Sequence, residues 1–211
     1  MKIDKFTFNN RIDAYNQLCE VLPIDNMLEE NWVILATSLG GVTIAKEIAK
    51  TLQSDFDYIF THKIFASHND ECEIAIVTET SEVVVHEELM RSFNLQLKSI
   101  YAQADQLYNG NILEYKKKYR DNKDIISLEN ANVLLVDEGL NTGLTMMACI
   151  KSVITQNAKS ICVAVPVLPS VIVNDIEAIA DDLYYVKAID HFVSIDFYYD
   201  KLENISFEDI K

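Results

Sequence analysis

The chain has 211 residues, and 18 basic against 33 acidic side chains give a formal net charge of −15. Apolar residues at 49% and charged residues at 24% suit an ordinary globular protein and exclude a mainly disordered or collagen-like chain. An acidic balance of this size argues against nonspecific nucleic-acid binding, which needs basic patches, so no nucleic-acid partner is expected.

The longest apolar tract, Ile161 to Val173, contains Pro166, Pro169 and Ser170 and falls far short of the roughly 20 residues a membrane span needs. Met1-Lys2-Ile3-Asp4-Lys5 is followed by no apolar core, so no secretory signal is expected. The cysteines at 19, 72, 149 and 162 show no CxxC spacing. Cys149 and Cys162 sit in apolar runs as small hydrophobes, which suits a reducing cytoplasm.

In chain order, Arg11 to Glu29 reads as a helix with Ala14, Leu18, Val21 and Leu22 on one face. Trp32 to Thr37 is a buried strand, Ser38 to Gly41 a tight loop, and Val42 to Leu52 an amphipathic helix. Phe56 to Lys63 reads as a second strand. Ile64 to Glu71 is irregular, with His68-Asn69-Asp70 as turn chemistry. Glu73 to Glu79 and Val83 to Val85 are further strands. A long helical stretch from Glu87 to Asn122 is broken near Asn109-Gly110-Asn111. Its apolar stripe is Leu97, Ile100, Tyr101, Ala104, Leu107 and Tyr108. Lys116, Lys117, Lys118 and Arg120 form the densest basic cluster, read as a solvated helix face. A strand at Val133 to Val136 is followed by a loop and a helix at Thr142 to Gln156. Ile161 to Val165 is a strand ending at Pro166, Ser170 to Ala180 a helix capped by Ser170, and Leu183 to Ala188 the last strand. No linker or internal repeat divides the chain, so residues 1–211 are expected to form a single domain.

Strands that are continuous apolar runs, alternating with helices, predict an α/β fold: a mainly parallel twisted sheet with helices on both faces. Ligands bind at the carboxyl ends of such strands. Glycine is scarce, five in all, and four of the five (Gly40, Gly41, Gly139, Gly143) fall in two loops placed there. Two ordinary strand-to-helix turns would account for a glycine or two. Paired glycines with flanking hydroxyls lean instead toward an anion site.

The second loop carries the chemistry. Val133 to Val136 push a strand into the core, and Asp137 and Glu138 emerge at its end. Gly139, Leu140, Asn141, Thr142, Gly143, Leu144 and Thr145 then lead into a helix. Adjacent carboxylates accept hydrogen bonds from the vicinal hydroxyls of a ribose. Backbone N–H groups, threonine hydroxyls and the helix N-terminus wrap a phosphate. A Walker-type loop would need Gly-Lys-Ser/Thr and a dinucleotide fingerprint GxGxxG, and neither is present. The four histidines show no metal-ligand spacing, and no protein-held metal is expected.

Val133 to Thr145 resembles the phosphoribosyl-pyrophosphate (PRPP) motif of type I phosphoribosyltransferases. Nearly the whole chain is similar to a bacterial group of predicted phosphoribosyltransferases. Phe8-Asn9-Asn10-Arg11 matches its Phe-x-x-Arg segment, Ser38-Leu39-Gly40-Gly41-Val42 its Pro-Arg-Gly-Gly-Val loop, and Lys63 to Glu71 its Lys-Leu-Gly-x-Pro-x-Asn-Pro-Glu segment. Tyr119-Arg120 and the aromatic, acidic tail from Phe197 to Ile210 also match. The resemblance implies transfer of a phosphoribosyl group from PRPP to a small-molecule base with release of pyrophosphate, magnesium held mostly by the substrate, a small hood from terminal and inserted segments, and a homodimer. It assigns Asp137 and Glu138 to catalysis and the ribose hydroxyls, and Asn141 to Thr145 to the 5-phosphate. Leu39, Gly40 and Gly41 form the pyrophosphate loop, with a strained or cis peptide before Gly40. Lys63 reaches pyrophosphate or is a strand-end surface lysine. Tyr198 and Tyr199 stack on a base or pack the tail. Three departures stand out. Leu39 replaces a basic residue. Phe65, Ser67 and Asp70 replace the glycine and prolines of the middle segment. Asn141 replaces the aspartate of purine salvage enzymes and is no general base. A PRPP or nucleotide sensor without turnover is the alternative, favoured by Leu39.

Overall fold

The computed structural model describes residues 7–66 and 69–210. Ser67, His68 and the side chains of Asp70 and Glu71 lie outside the described residues, as does the start of the chain up to residue 6.

Helices α1 (Arg11–Cys19) and α2 (Ile24–Met27) precede strand β1 (Trp32–Ala36), helix α3 (Val42–Leu52) and strand β2 (Asp55–Tyr58). A hairpin follows, β3 (Thr61–Ala66), β4 (Asn69–Thr78) and β5 (Val83–Val85), then α4 (Glu87–Ser92), α5 (Leu97–Leu107), a wide π turn at Tyr108–Ile112, and α6 (Leu113–Arg120). The chain then runs through β6 (Asn132–Val136), α7 (Leu144–Thr155), β7 (Ser160–Pro169), α8 (Val173–Glu177) and β8 (Asp182–Ile189). Five strands form a wholly parallel sheet in the order β2-β1-β6-β7-β8, and β3-β4-β5 form a separate antiparallel sheet, the hood.

Period-two alternation along β6 covers both faces of the parallel sheet. Leu134 and Val136 pack with Ala14 and Leu18 of α1 and Ile44 and Ile48 of α3. Val133 and Leu135 pack with Met146, Ile150 and Val153 of α7 and Ile176 of α8. All four strand residues are completely buried, and each buried branched side chain contributes about 1.5–3 kcal/mol. Cys149 and Cys162 are buried in these cores, and all four cysteines are unpaired. No helix among the described residues is long and apolar enough to cross a membrane.

Several local expectations change. The first helix divides because Pro23 precedes Ile24, where it suits a helix start and not a helix interior. The expected strand from Phe56 to Lys63 is two strands in different sheets, with buried Ile59 and Phe60 at the crossing. The run Phe56-Asp57-Tyr58-Ile59-Phe60-Thr61-His62-Lys63 carries no glycine or proline turn residue to mark such a crossing. The segment expected to be irregular from Ile64 is strand as far as Ala66 and again from Asn69, with a register shift near Phe65. At Asn109-Gly110-Asn111 the helix widens into the π turn and continues. Of the expected stripe, Ile100 and Ala104 are buried, whereas Leu97 and Tyr101 are exposed. Lys117 and Lys118 face solvent, but Arg120 turns inward.

Strand β7 passes through Pro166. Beyond Ala164 it pairs on one side alone, with β8, and Pro166 falls at a gap in that ladder where no N–H is required. Ser170 donates to Asp190 Oδ1 at 2.6 Å instead of capping, and a short 3-10 turn leads into α8. The two ends of the described chain meet: Phe8 N–H donates to Tyr198 O at 3.0 Å, and Asp200 N–H to Phe8 O at 2.9 Å.

Candidate active site

Strands β1 and β6 are neighbours, yet after β1 the chain turns to β2 on one side and returns through the hood to β6 on the other. That reversal opens a crevice at the carboxyl ends of the two strands. A cleft of about 680 Å³ lies there, walled by Leu39, Gly40, Lys63 and the whole run from Asp137 to Thr145. Hood residues Phe65, Cys72 and Glu73 close the opposite side.

The first loop follows β1 directly. Gly41 N–H donates to both the carbonyl and the hydroxyl oxygen of Ser38 at 3.2 Å, closing a tight turn. Gly41 is not on the cleft wall. A Cβ there would lie 2.7 Å from Val136 O and 2.8 Å from Asp137 Cα, and one on Gly40 would overlap the Glu138 carboxylate. These glycines let the loop lie flat against the acidic end of β6. The strained or cis peptide expected before Gly40 is not found: every peptide bond among the described residues is trans, and Gly40 has no positive φ. Close approach, rather than a special dihedral, selects glycine. Leu39 packs partly against the core that α1 and α3 share.

Asp137 accepts from Thr37 Oγ1 at 2.8 Å, Ser38 Oγ at 2.5 Å and the Glu138 N–H at 2.8 Å. Burial pushes its carboxyl above the ordinary range, and the Ser38 and Thr37 hydroxyls oppose that shift. Glu138 is also pushed up, first by burial and then by the charge of Asp137, while Arg11 pulls it down. Arg11 Nε donates to Glu138 Oε2 at 2.7 Å and to Gly40 O at 3.0 Å, and Tyr199 OH donates to Glu138 O at 2.7 Å. Tyr198 and Tyr199 are both buried, so tail packing is their role.

Gly143 sits at φ 74°, where a side chain is strained, and starts α7 without a side-chain cap. Leu144 N–H donates to Thr142 Oγ1 at 3.3 Å, and the start of the helix lines the cleft with Gly143, Leu144 and Thr145. Asn141 and Thr142 are exposed, whereas Leu140 and Leu144 bury their side chains and offer backbone alone. A Cβ on Gly139 would crowd Val167. Lys63, on β3 of the hood, pairs with Glu73 at 2.7 Å.

Sequence reasoning missed the part that five residues play as partners: Thr37, Ser38, Arg11, Tyr199 and Glu73. The hydroxyl pair Thr37-Ser38, one residue before the glycines, was a readable signal for the first two. Arg11 stood in a matched segment without a role, Tyr199 was read as a base-stacking or tail-packing ring and not as a partner of Glu138, and nothing local marked Glu73.

Sheet order, crevice and acidic strand end together define a doubly wound α/β protein whose helix-initiating loop and carboxylate pair share one cleft. The description "Phosphoribosyl transferase domain" matches residues 24–200, and the chain belongs to that family. Two Mycobacterium tuberculosis proteins (strains CDC 1551 / Oshkosh and H37Rv), each named "Putative phosphoribosyl transferase", are 27% identical over 179 residues, 83% of this chain. The chain spans 39% of the length of these curated relatives. The solved structure of TT1426 from Thermus thermophilus superposes with a TM-score of 0.77 at 25% identity, over 97% of this chain and 96% of that one.

Proposed function

We propose that the chain, as a single unit over residues 1–211, transfers the phosphoribosyl group of PRPP to a nitrogenous base and releases pyrophosphate. The observation that carries this reading is the convergence of the Asp137–Glu138 pair and the glycine-led start of α7 on one cleft. The two carboxylates take the ribose hydroxyls. Backbone N–H groups and hydroxyls from Asn141 to Thr145 take the 5-phosphate, with Gly139, Leu140 and Leu144 setting the loop's path. Gly40 and Lys63 face the diphosphate end with Leu39, Lys63 leaving Glu73 to do so, and Gly41 acts through packing. Asp137 already accepts three internal hydrogen bonds and Glu138 holds Arg11. This donor set fits a magnesium ion carried on diphosphate oxygens and water rather than a protein cage. Such an ion would neutralise part of the diphosphate charge. Displacement at the anomeric carbon then relies on positioning and on the electrostatics of this chain's own groups. The resemblance extends the reading to a homodimer.

A second reading, a PRPP sensor without turnover, is favoured by the neutral Leu39 and by the pairing of Lys63 with Glu73. Calorimetry with PRPP and magnesium, followed by a pyrophosphate-release assay over a panel of bases, separates the two. Binding with release for at least one base is expected. Binding without release over the panel selects the sensor, and absence of PRPP binding overturns both.

A further inference from the structure

We propose that Arg11 is the positioning residue of the acidic pair, its guanidinium fixing the Glu138 carboxylate at the cleft and tying it to both ends of the chain. The inference rests on the reading of Glu138 as a ribose-binding carboxylate.

The geometry is that of a clasp. Arg11 Nε bridges Glu138 Oε2 at 2.7 Å and Gly40 O at 3.0 Å, while Nη1 donates to Glu203 O at 2.7 Å. One planar fork thus touches the acidic motif, the first glycine loop and the carboxyl-terminal segment. Both charged side chains are largely enclosed, at 11% and 17% exposure, so solvent screening is weak. The backbone under Arg11 is fixed: it opens α1 behind Asn10, whose side chain accepts from Asp13 N–H at 2.9 Å. Phe8, buried beside Tyr199 with ring centroids 5.1 Å apart, anchors the segment before it. Tyr199 in turn donates to the Glu138 carbonyl at 2.7 Å. Side chain and backbone of Glu138 are therefore held from opposite ends of the chain.

Charge decides which property of Glu138 depends on the clasp. Asp137 lies beside it, itself enclosed by Thr37 and Ser38 and facing the Tyr58 phenol, with Lys63 acting on it from the hood. Tyr199 is a neutral phenol whose ionisation is pushed up by burial and then by Glu138. Arg11 is the cation that opposes burial and Asp137 at Glu138. Removing it raises the Glu138 pKa further. A ribose hydroxyl donates to the ionised carboxylate, so affinity declines as pH falls through that pKa, and the decline begins at higher pH without Arg11.

The test compares wild type, Arg11→Met and Arg11→Lys by two measurements. One follows the Glu138 carboxyl by carbon-detected NMR in ligand-free protein, assigned with Glu138→Gln. The other is PRPP affinity against pH. Arg11→Met should move the Glu138 titration to higher pH and weaken PRPP about tenfold or more at neutral pH, the size of a lost charge-assisted hydrogen bond. Arg11→Lys should restore the titration but not the affinity, because one ammonium cannot span Glu138, Gly40 and Glu203 as the fork does. An unchanged Glu138 titration in Arg11→Met, or wild-type affinity in Arg11→Lys, overturns the proposal. If Arg11→Met does not fold, Arg11→Lys alone decides on that second criterion or, without PRPP binding, on whether it restores the wild-type titration. Wild type that ignores PRPP sinks the proposed function, while the carboxyl titration still judges Arg11.

Discussion

At the joint between the hood and the parallel sheet, Glu79 is gripped by Arg120 through two nitrogens, at 2.6 and 3.2 Å, and takes the Phe60 N–H at 2.8 Å. The same guanidinium reaches Asp57 at 3.3 Å, bonds the Tyr58 carbonyl and lies over the Phe60 ring. At the cleft, one guanidinium serves Glu138 alone, and its neighbour Asp137 is held by hydroxyls and an amide. Burial pushes the Glu79, Asp137 and Glu138 carboxyls up alike. What differs is how completely each is answered from inside. The joint is closed on itself, which suits a fixed structural bond between sheet and hood. The cleft pair retains negative charge in an enclosed place, an arrangement that costs stability and marks groups kept for a ligand.

Breaking the joint should have the largest effect. Arg120→Met strands Glu79 and Asp57 and should cost about 3–5 kcal/mol in urea unfolding. Combining it with Glu79→Gln should recover a substantial part, since the uncompensated charge is gone. A loss below about 1 kcal/mol in the single variant would remove the contrast.

The cleft pair should answer in the opposite sense. Asp137→Asn with Glu138→Gln should lose PRPP affinity by about 1.5–3 kcal/mol for each ribose hydrogen bond, without loss of fold stability. The pH signature sharpens this. Both folded pKa values lie above the unfolded values of about 3.9 and 4.3. Their contribution to stability is therefore complete below those values and declines as pH rises through the folded ones. The double variant lacks that decline, so its stability relative to wild type should grow from about pH 4 upward. Parallel stability curves in chemical denaturation would show that the pair is no more strained than the joint.

Smallest is the effect at the first loop. Leu39→Arg adds a cation where the cleft has Lys63 engaged with Glu73. It should tighten PRPP by about 1.5 kcal/mol, leave ribose 5-phosphate unaffected, and lose part of the gain at high salt. Equal tightening of both ligands in a titration at two ionic strengths would place Leu39 away from the diphosphate.

What the sequence made legible was local. Apolar runs ending in Thr37-Ser38 and Asp137-Glu138 located β1, β6 and both loops, because a buried parallel strand and the turn after it are written in consecutive residues. Pairing over distance was not written there. Arg11 meets Glu138 across 127 positions, and no spacing encodes that contact. The crossing at Ile59-Phe60 was hidden because both sheets bury the same residue types. Gly40 and Gly41 were recognised as backbone positions, but the reason, the nearness of Val136, Asp137 and Glu138, belongs to the tertiary fold. Pro166 was taken as a stop because the one-sided pairing that tolerates it depends on strand order.

The meeting of the chain ends also sets an order of assembly. The hydrogen bond from Arg11 to Glu203 closes a span of 192 residues. Contacts of such separation form late, since the entropy of closing the loop must be overcome before they add anything. Residues 198–203 follow β8, the last strand of the parallel sheet, so none of the five strands needs them in order to pair. The grip on Arg11 and on the Glu138 carbonyl waits for that segment to dock, so the sheet can form before the acidic end of its cleft is fixed.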